Sequence, residues 1–161
     1  MTARANRKEM ILETAAMKDL FLHTVARAKK KYDFRIENFC VMGNHFHLIV
    51  QPLNGASLSA IMQWIMSVFA MTWNRIHQLS GHVWGARFFS RLLASLPEFL
   101  QVWQYIDDNP VKAGLVERAE EWRHGGRWHL HRGWPEIMDA LPDWLAMIHS
   151  TSREPRCLAA P

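Results

Sequence analysis

His45 and His47 are the residues from which chemistry most readily follows in this chain, because one residue separates them in a segment, 45–51 (HFHLIVQ), that reads as a β-strand. Successive side chains of a strand point to opposite faces, so the two imidazoles share one face, about 7 Å apart, while Phe46 and Leu48 turn the other way into a core. Imidazoles so placed can converge on one metal ion. Taken alone, H-x-H is more often a surface or hydrogen-bonded pair, and the flanking sequence has to decide. A second H-x-H, His129 and His131, lacks comparable surroundings and is given no role. Only two tyrosines occur, Tyr32 and Tyr105, and Tyr105 falls in a helical pattern beside Trp103 and Ile106, where base rates favour a core aromatic.

The surroundings of these residues form three blocks. His45 and His47 lie in Val41-Met42-Gly43-Asn44-His45-Phe46-His47-Leu48-Ile49-Val50, and Tyr105 opens Tyr105-Ile106-Asp107-Asp108-Asn109-Pro110-Val111-Lys112-Ala113-Gly114-Leu115-Val116, about 60 positions later. Between them stands Gly81-His82-Val83-Trp84-Gly85-Ala86-Arg87-Phe88. Together the blocks resemble the HUH single-strand DNA nucleases. The resemblance is closest to the REP-associated tyrosine transposases of the IS200-like group, with their patterns M-x-N-H-x-H-L-L-V, G-x-x-W-x-x-R-F and Y-I-x-x-N-P-x-x-A-G-L-V. It runs from the first helix to about residue 116.

The resemblance implies an α+β, ferredoxin-like (HUH nuclease) fold: an antiparallel sheet with helices packed on one face. It makes Tyr105 the nucleophile and His45 and His47 ligands of a divalent ion, Mg²⁺ or Mn²⁺. Asn109 follows Tyr105 by four residues, so a helix reaching that far presents both on one face, and the carboxamide oxygen can complete the metal shell. The implied reaction is cleavage and rejoining of single-stranded or hairpin DNA through a 5′-phosphotyrosine, by a monomer or a homodimer. Arg87, Arg91, Lys29, Lys30, Lys31 and Lys112 are candidates for phosphate contacts and Trp84 for stacking on an unpaired base. For the lysines a solvated helix end explains the sequence equally well, as it does for Gln101 and Asp108 beside Tyr105. Two other readings stay open: a catalytically impaired DNA-binding protein, and a metal-dependent hydrolase in which the histidines activate water and no protein–DNA adduct forms.

Several elements must position these residues. Residues 8–31 read as an amphipathic helix with a cationic last turn. Residues 32–41 and 45–51 read as an antiparallel hairpin, residues 58–79 as a long helix capped by Ser57 and stopped by Gly81, and residues 82–94 as a fourth strand with a bulge at Gly85. Ser95-Leu96-Pro97-Glu98 has the form of a capping box opening a helix over 97–108, which Pro110 ends or bends. A short helix is expected within 135–148. Residues 1–150 are expected to form one domain and 151–161 a flexible tail.

The 161 residues are enough to bury a core without disulfides, and 49% apolar against 21% charged residues excludes a disordered chain. A net charge of +4 suits a polyanionic partner. Cys40 and Cys157 make neither a disulfide framework nor a zinc-binding spacing. No segment has the roughly 20 apolar residues of a membrane span, so no membrane partner and a cytoplasmic location are expected. The sequence also departs from its relatives. Gly43 stands where they commonly have proline, and the chain opens on Met1-Thr2-Ala3-Arg4 where they carry a full strand ending in T-x-R. Most of that strand is therefore expected to be missing, which would leave two ladder edges exposed unless the true start lies upstream or a partner chain fills the gap, and which otherwise motivates the impaired reading.

Overall fold

A computed structural model of the chain describes residues 1–6, 9–132 and 137–139. The elements are β1 (Thr2–Arg4), α1 (Ala15–Lys31), β2 (Phe34–Val41), β3 (His45–Pro52), α2 (Leu58–His77), α3 (Leu96–Lys112), a 3₁₀ turn (Ala119–Glu121) and α4 (Gly126–Arg132). The strands form an antiparallel sheet in the order β1-β3-β2. This is the split βαβ arrangement, and the α+β class expected from the sequence is observed.

The shortened first strand is present and lies inside the sheet. Thr2, Ala3 and Arg4 pair with His47, Phe46 and His45 on one side. On the other side Thr2 bridges Phe89 and Ala5 bridges Trp84. The ladder edges expected at this point are narrowed, because three residues fill the gap along residues 45–47, while β3 beyond Leu48 has no partner from the first strand.

The fourth strand expected over 82–94 is reduced to those two bridges. Three residue steps along the first strand, from Thr2 to Ala5, face five between Trp84 and Phe89, so two residues loop out and the ladder cannot continue. Gly85 permits the close approach, since a Cβ there would lie 3.1 Å from the Ala5 carbonyl oxygen. The outer edge of β2 is covered in a similar way: the Val41 amide donates to the His124 carbonyl (2.9 Å) and the Trp122 indole to the Val41 carbonyl (3.2 Å).

The helix boundaries show where local chemistry overrides periodicity. α1 begins at Ala15, not near residue 8, because the Thr14 hydroxyl caps it by accepting from the Met17 amide. Ile11 and Leu12 are still buried, but as a turn whose Leu12 amide donates to the Gly43 carbonyl (2.9 Å). α2 ends at His77 with Gln78 in the left-handed region, before the stop expected at Gly81. α3 runs through Pro110 to Lys112, past the break expected there, because a proline in a last turn forfeits only one hydrogen bond and Pro110 is buried against the rest of the fold. The region of the helix expected within 135–148 and the tail from 151 lies outside the described residues, apart from 137–139.

The sheet carries helices on both faces. On one, Phe46 and Leu48 point at α1 and α2, and Phe21 packs its ring 4.5 Å from Phe46 and 5.7 Å from Phe69. On the other, α3 crosses over β2 and β3. The expectation that the helices share a single face thus holds for α1 and α2 only. The reason is legible in β2, where seven of eight residues are buried: a strand covered on one side alone would alternate with polar residues.

Candidate active site

Strand β3 and helix α3 make the site. The alternation of β3 turns His45 and His47 toward α3 while Phe46 anchors the same strand in the opposite core. The two imidazole centroids are 5.0 Å apart, and the Tyr105 ring stands 5.4 Å from that of His47. Tyr105 is half exposed (50%), which leaves its hydroxyl open to a macromolecular substrate. Asn109 lies one turn further along α3, its Nδ2 donating to the Tyr105 carbonyl at 2.6 Å. The helix therefore does carry the tyrosine and the carboxamide on one face.

A buried polar group holds α3 in place beneath this arrangement. Asn38, fully buried on β2, donates through Nδ2 to the Trp103 carbonyl (3.3 Å) and to Asp107 Oδ1 (2.9 Å), while its Oδ1 accepts from the Phe39 amide (2.8 Å). Arg127 of α4 approaches the other Asp107 oxygen at 3.8 Å. Burial pushes the Asp107 carboxyl up to about 6, against the lowering effects of Asn38 and Arg127. None of these contacts was anticipated, since nothing in the sequence pairs residue 38 with residue 107.

The histidines have the state a metal ligand requires. Burial, then neighbouring His45 and the N-terminal ammonium, hold His47 down to about 4, and burial followed by Arg4 lowers His45. Both rings are neutral at physiological pH. His45 Nδ1 lies 2.8 Å from Asn44 Oδ1, which places its proton on Nδ1 and leaves the Nε2 lone pair available. His47 Nε2 is buried with no hydrogen-bond partner. A buried, unpartnered ring nitrogen is costly unless something coordinates it. Among the described residues no cluster of three His, Cys, Asp or Glu side chains forms here or elsewhere. Two neutral imidazoles side by side, with the Asn109 carboxamide on the helix face that carries Tyr105, are donors of the kind that suits a divalent cation with positions left open for substrate oxygens.

Residues 1–109, which contain both histidines, Tyr105 and Asn109, match the transposase IS200-like family. The chain belongs to the IS200-like transposases. Two curated members are similar over most of their length. One is a putative REP-associated tyrosine transposase of Haemophilus influenzae, 25% identical over 127 residues, covering 70% of this chain and 70% of that one. The other is the REP-associated tyrosine transposase of Escherichia coli K12, 24% identical over 123 residues, covering 73% and 67%. A solved structure of a REP-associated tyrosine transposase bound to a REP hairpin superposes with a TM-score of 0.66 at 22% identity, covering 87% of this chain and 83% of that one. Family membership makes this chain a DNA-processing enzyme. Among its described residues no helix is long and apolar enough to cross a membrane.

The candidates for contacts to DNA divide in this transposase. Lys112 stays with the site, its Nζ 6.0 Å from the Tyr105 ring centroid and 3.1 Å from Asp108. Arg91 is tied to Glu98 at 3.1 Å. Lys29, Lys30 and Lys31 end α1 on the opposite face of the sheet, and Lys29 is a structural residue there: its Nζ binds Asp139 (2.7 Å) and the Ile137 carbonyl (3.1 Å). Lys31 lies over the rings of Tyr32 and Trp64, and Lys30 is exposed. Arg87 borders an open groove of about 710 Å³ between α2 and residues 81–88, away from Tyr105. Trp84, half-buried, lines the same groove and is anchored to the core. Its indole donates to the Met66 carbonyl (2.9 Å), and its ring packs 5.4–6.3 Å from Phe21, Phe46 and Phe69. A β-rich segment with an aromatic reads alike whether the ring faces the core or a ligand. Sequence reasoning also missed Arg4, which the ladder sets directly across from His45; the T-x-R pattern around it was the available signal.

Proposed function

We propose that this transposase cleaves and rejoins single-stranded DNA at hairpin-bearing sites, with Tyr105 as nucleophile and a Mg²⁺ or Mn²⁺ ion held by His45, His47 and Asn109. The observation that carries the reading is the Tyr105 ring standing against an imidazole whose buried Nε2 has no protein partner. When bound, the ion supplies a Lewis acid for a non-bridging phosphate oxygen. The chain's own residues do the rest. α3, held by Asn38, fixes the phenol over the histidine face, so attack starts from a positioned geometry. The Tyr105 oxygen forms a bond to phosphorus as the bond to the 3′ oxygen breaks; the phenolic proton is given up and the 3′ oxygen gains one. The ester conserved in the phosphotyrosine lets a 3′ hydroxyl reverse the step, which joins strands rather than hydrolysing them.

The relative solved with a REP hairpin makes hairpins from the chain's own genomic neighbourhood the first substrates to use. Incubation of labelled single-stranded hairpin DNA with Mg²⁺ or Mn²⁺ is expected to give a protein–DNA adduct that survives denaturation, absent in Tyr105→Phe. Hairpin binding with no adduct across several flanking hairpins would refute the catalytic reading, and turnover without an adduct would place the chemistry on water.

A further inference from the structure

We infer that Arg4 is a phosphate-binding residue of the active site, gripping the backbone of the single strand from the β1 side at the position where Tyr105 attacks. The inference rests on the transesterification reading and adds a residue to it.

Three observations carry it. First, Arg4 and His45 are direct partners in the ladder, and directly opposed residues project to the same face with Cβ atoms about 5 Å apart. Its neighbours Ala3 and Ala5 are buried on the other face while Arg4 is exposed, so its side chain belongs to the histidine face. Second, its backbone is fixed from both sides. The Arg4 carbonyl accepts from the Gly85 amide at 3.1 Å and the adjacent Ala5 amide donates to the Asn44 carbonyl at 2.8 Å. The residue thus sits on an interior strand, where position is set within narrow limits, and not on a mobile loop.

Third, the side-chain cations Lys112 and Arg91 near this face are already neutralised, by Asp108 and Glu98, each at 3.1 Å, and the Met1 ammonium is engaged by the Leu48 carbonyl at 2.7 Å. No ion pair is found for Arg4 among the described residues. A guanidinium left unpaired beside two imidazoles opposes cation binding there until an anion comes between them. A phosphate satisfies both sides, and its oxygens match the planar fork of arginine.

The test reads binding without metal and without cleavage, in a Tyr105→Phe background with a hairpin carrying a single-stranded flank. Arg4→Gln is expected to weaken binding about tenfold. It is also expected to lower the slope of log affinity against log salt by about 0.7, the value for one phosphate contact on a single strand. Replacing flank phosphates one at a time with neutral methylphosphonate is expected to reveal one position whose penalty disappears in Arg4→Gln. That position should be the phosphate joined to Tyr105 in the active protein. Arg4→Lys, which preserves the charge and the fold, should recover the salt slope but little of the position-specific penalty. If no phosphate couples to residue 4 in either variant, the inference is overturned. Coupling without any adduct in the tyrosine-bearing protein would instead refute the transesterification reading and leave the phosphate contact standing.

Discussion

Asp107→Asn should change how the stability of this protein depends on pH, in a direction the structure dictates. Asp107 is 6% exposed on the face of α3 that meets β2. Its carboxyl is raised from 3.8 to about 6 by burial, with Asp108 adding to the rise and Asn38, Arg127 and Trp103 opposing it. The folded state therefore binds a proton more tightly than the unfolded chain does. Between about pH 4 and pH 6 the Asp107 contribution falls as pH rises, by about 1.4 kcal/mol per unit, or about 3 kcal/mol in all. His47 acts in the opposite sense. Its pKa is depressed from 6.5 to about 4, so the folded state binds a proton less tightly and loses stability as pH falls through the same window. His45 and His124, both lowered by burial, act with it, and Glu37, raised by burial, acts with Asp107. In the wild type Asp107 and His47 therefore act against each other. Asp107→Asn removes one of them and leaves Asn38 an oxygen to donate to, so the variant should become acid-sensitive. Urea unfolding of both proteins from pH 4 to pH 7.5 gives the stability difference directly. Relative to wild type, the variant should gain about 3 kcal/mol between pH 4 and pH 6.5, with no further change above pH 7. A difference that stays constant across the range would show that the carboxyl is not desolvated as the packing of α3 on β2 requires.

Gly126 opens α4 where a Cβ would overlap Asn38 Oδ1 and stand 3.1 Å from the Phe39 amide nitrogen. Gly126→Ala should cost about 2 kcal/mol through overpacking, lowering Tm by roughly 4–8 °C for a chain of this size; an unchanged melting curve would mean α4 yields freely. Two of the three lysines that end α1, Lys29 and Lys30, should separate cleanly. Lys29→Gln is expected to lose about 1–2 kcal/mol of stability with its charge-assisted bonds to residues 137 and 139 and to leave hairpin affinity intact. Lys30→Gln should leave the melting temperature unchanged, and a drop in hairpin affinity on Lys29→Gln would restore it to the DNA surface.

Sequence by itself determined the parts of this protein whose signal is local. The single intervening residue between His45 and His47 puts both on one face of a strand, and the four-residue spacing of Tyr105 and Asn109 puts both on one face of a helix; strand and helix geometry need no tertiary information to say so. Ser57 and Ser95 cap the helices they precede for the same reason. The family blocks then tied strand to helix and identified the α+β fold.

Only the tertiary structure decided which face of the sheet α3 covers, and with it that Tyr105 meets His47. It alone matched Asn38 with Asp107, set Arg4 opposite His45 and assigned Trp84 to the core and Lys29 to an ion pair. A buried polar residue, a short strand and a cation on a helix end look the same in sequence whatever they touch, because the partner lies tens of residues away and the ladder register or helix packing that brings it near is a property of the whole chain. The proline at 110 is the same lesson in reverse. Its local preference is to end a helix, and its burial under the rest of the fold outweighs that preference by carrying α3 on to Lys112.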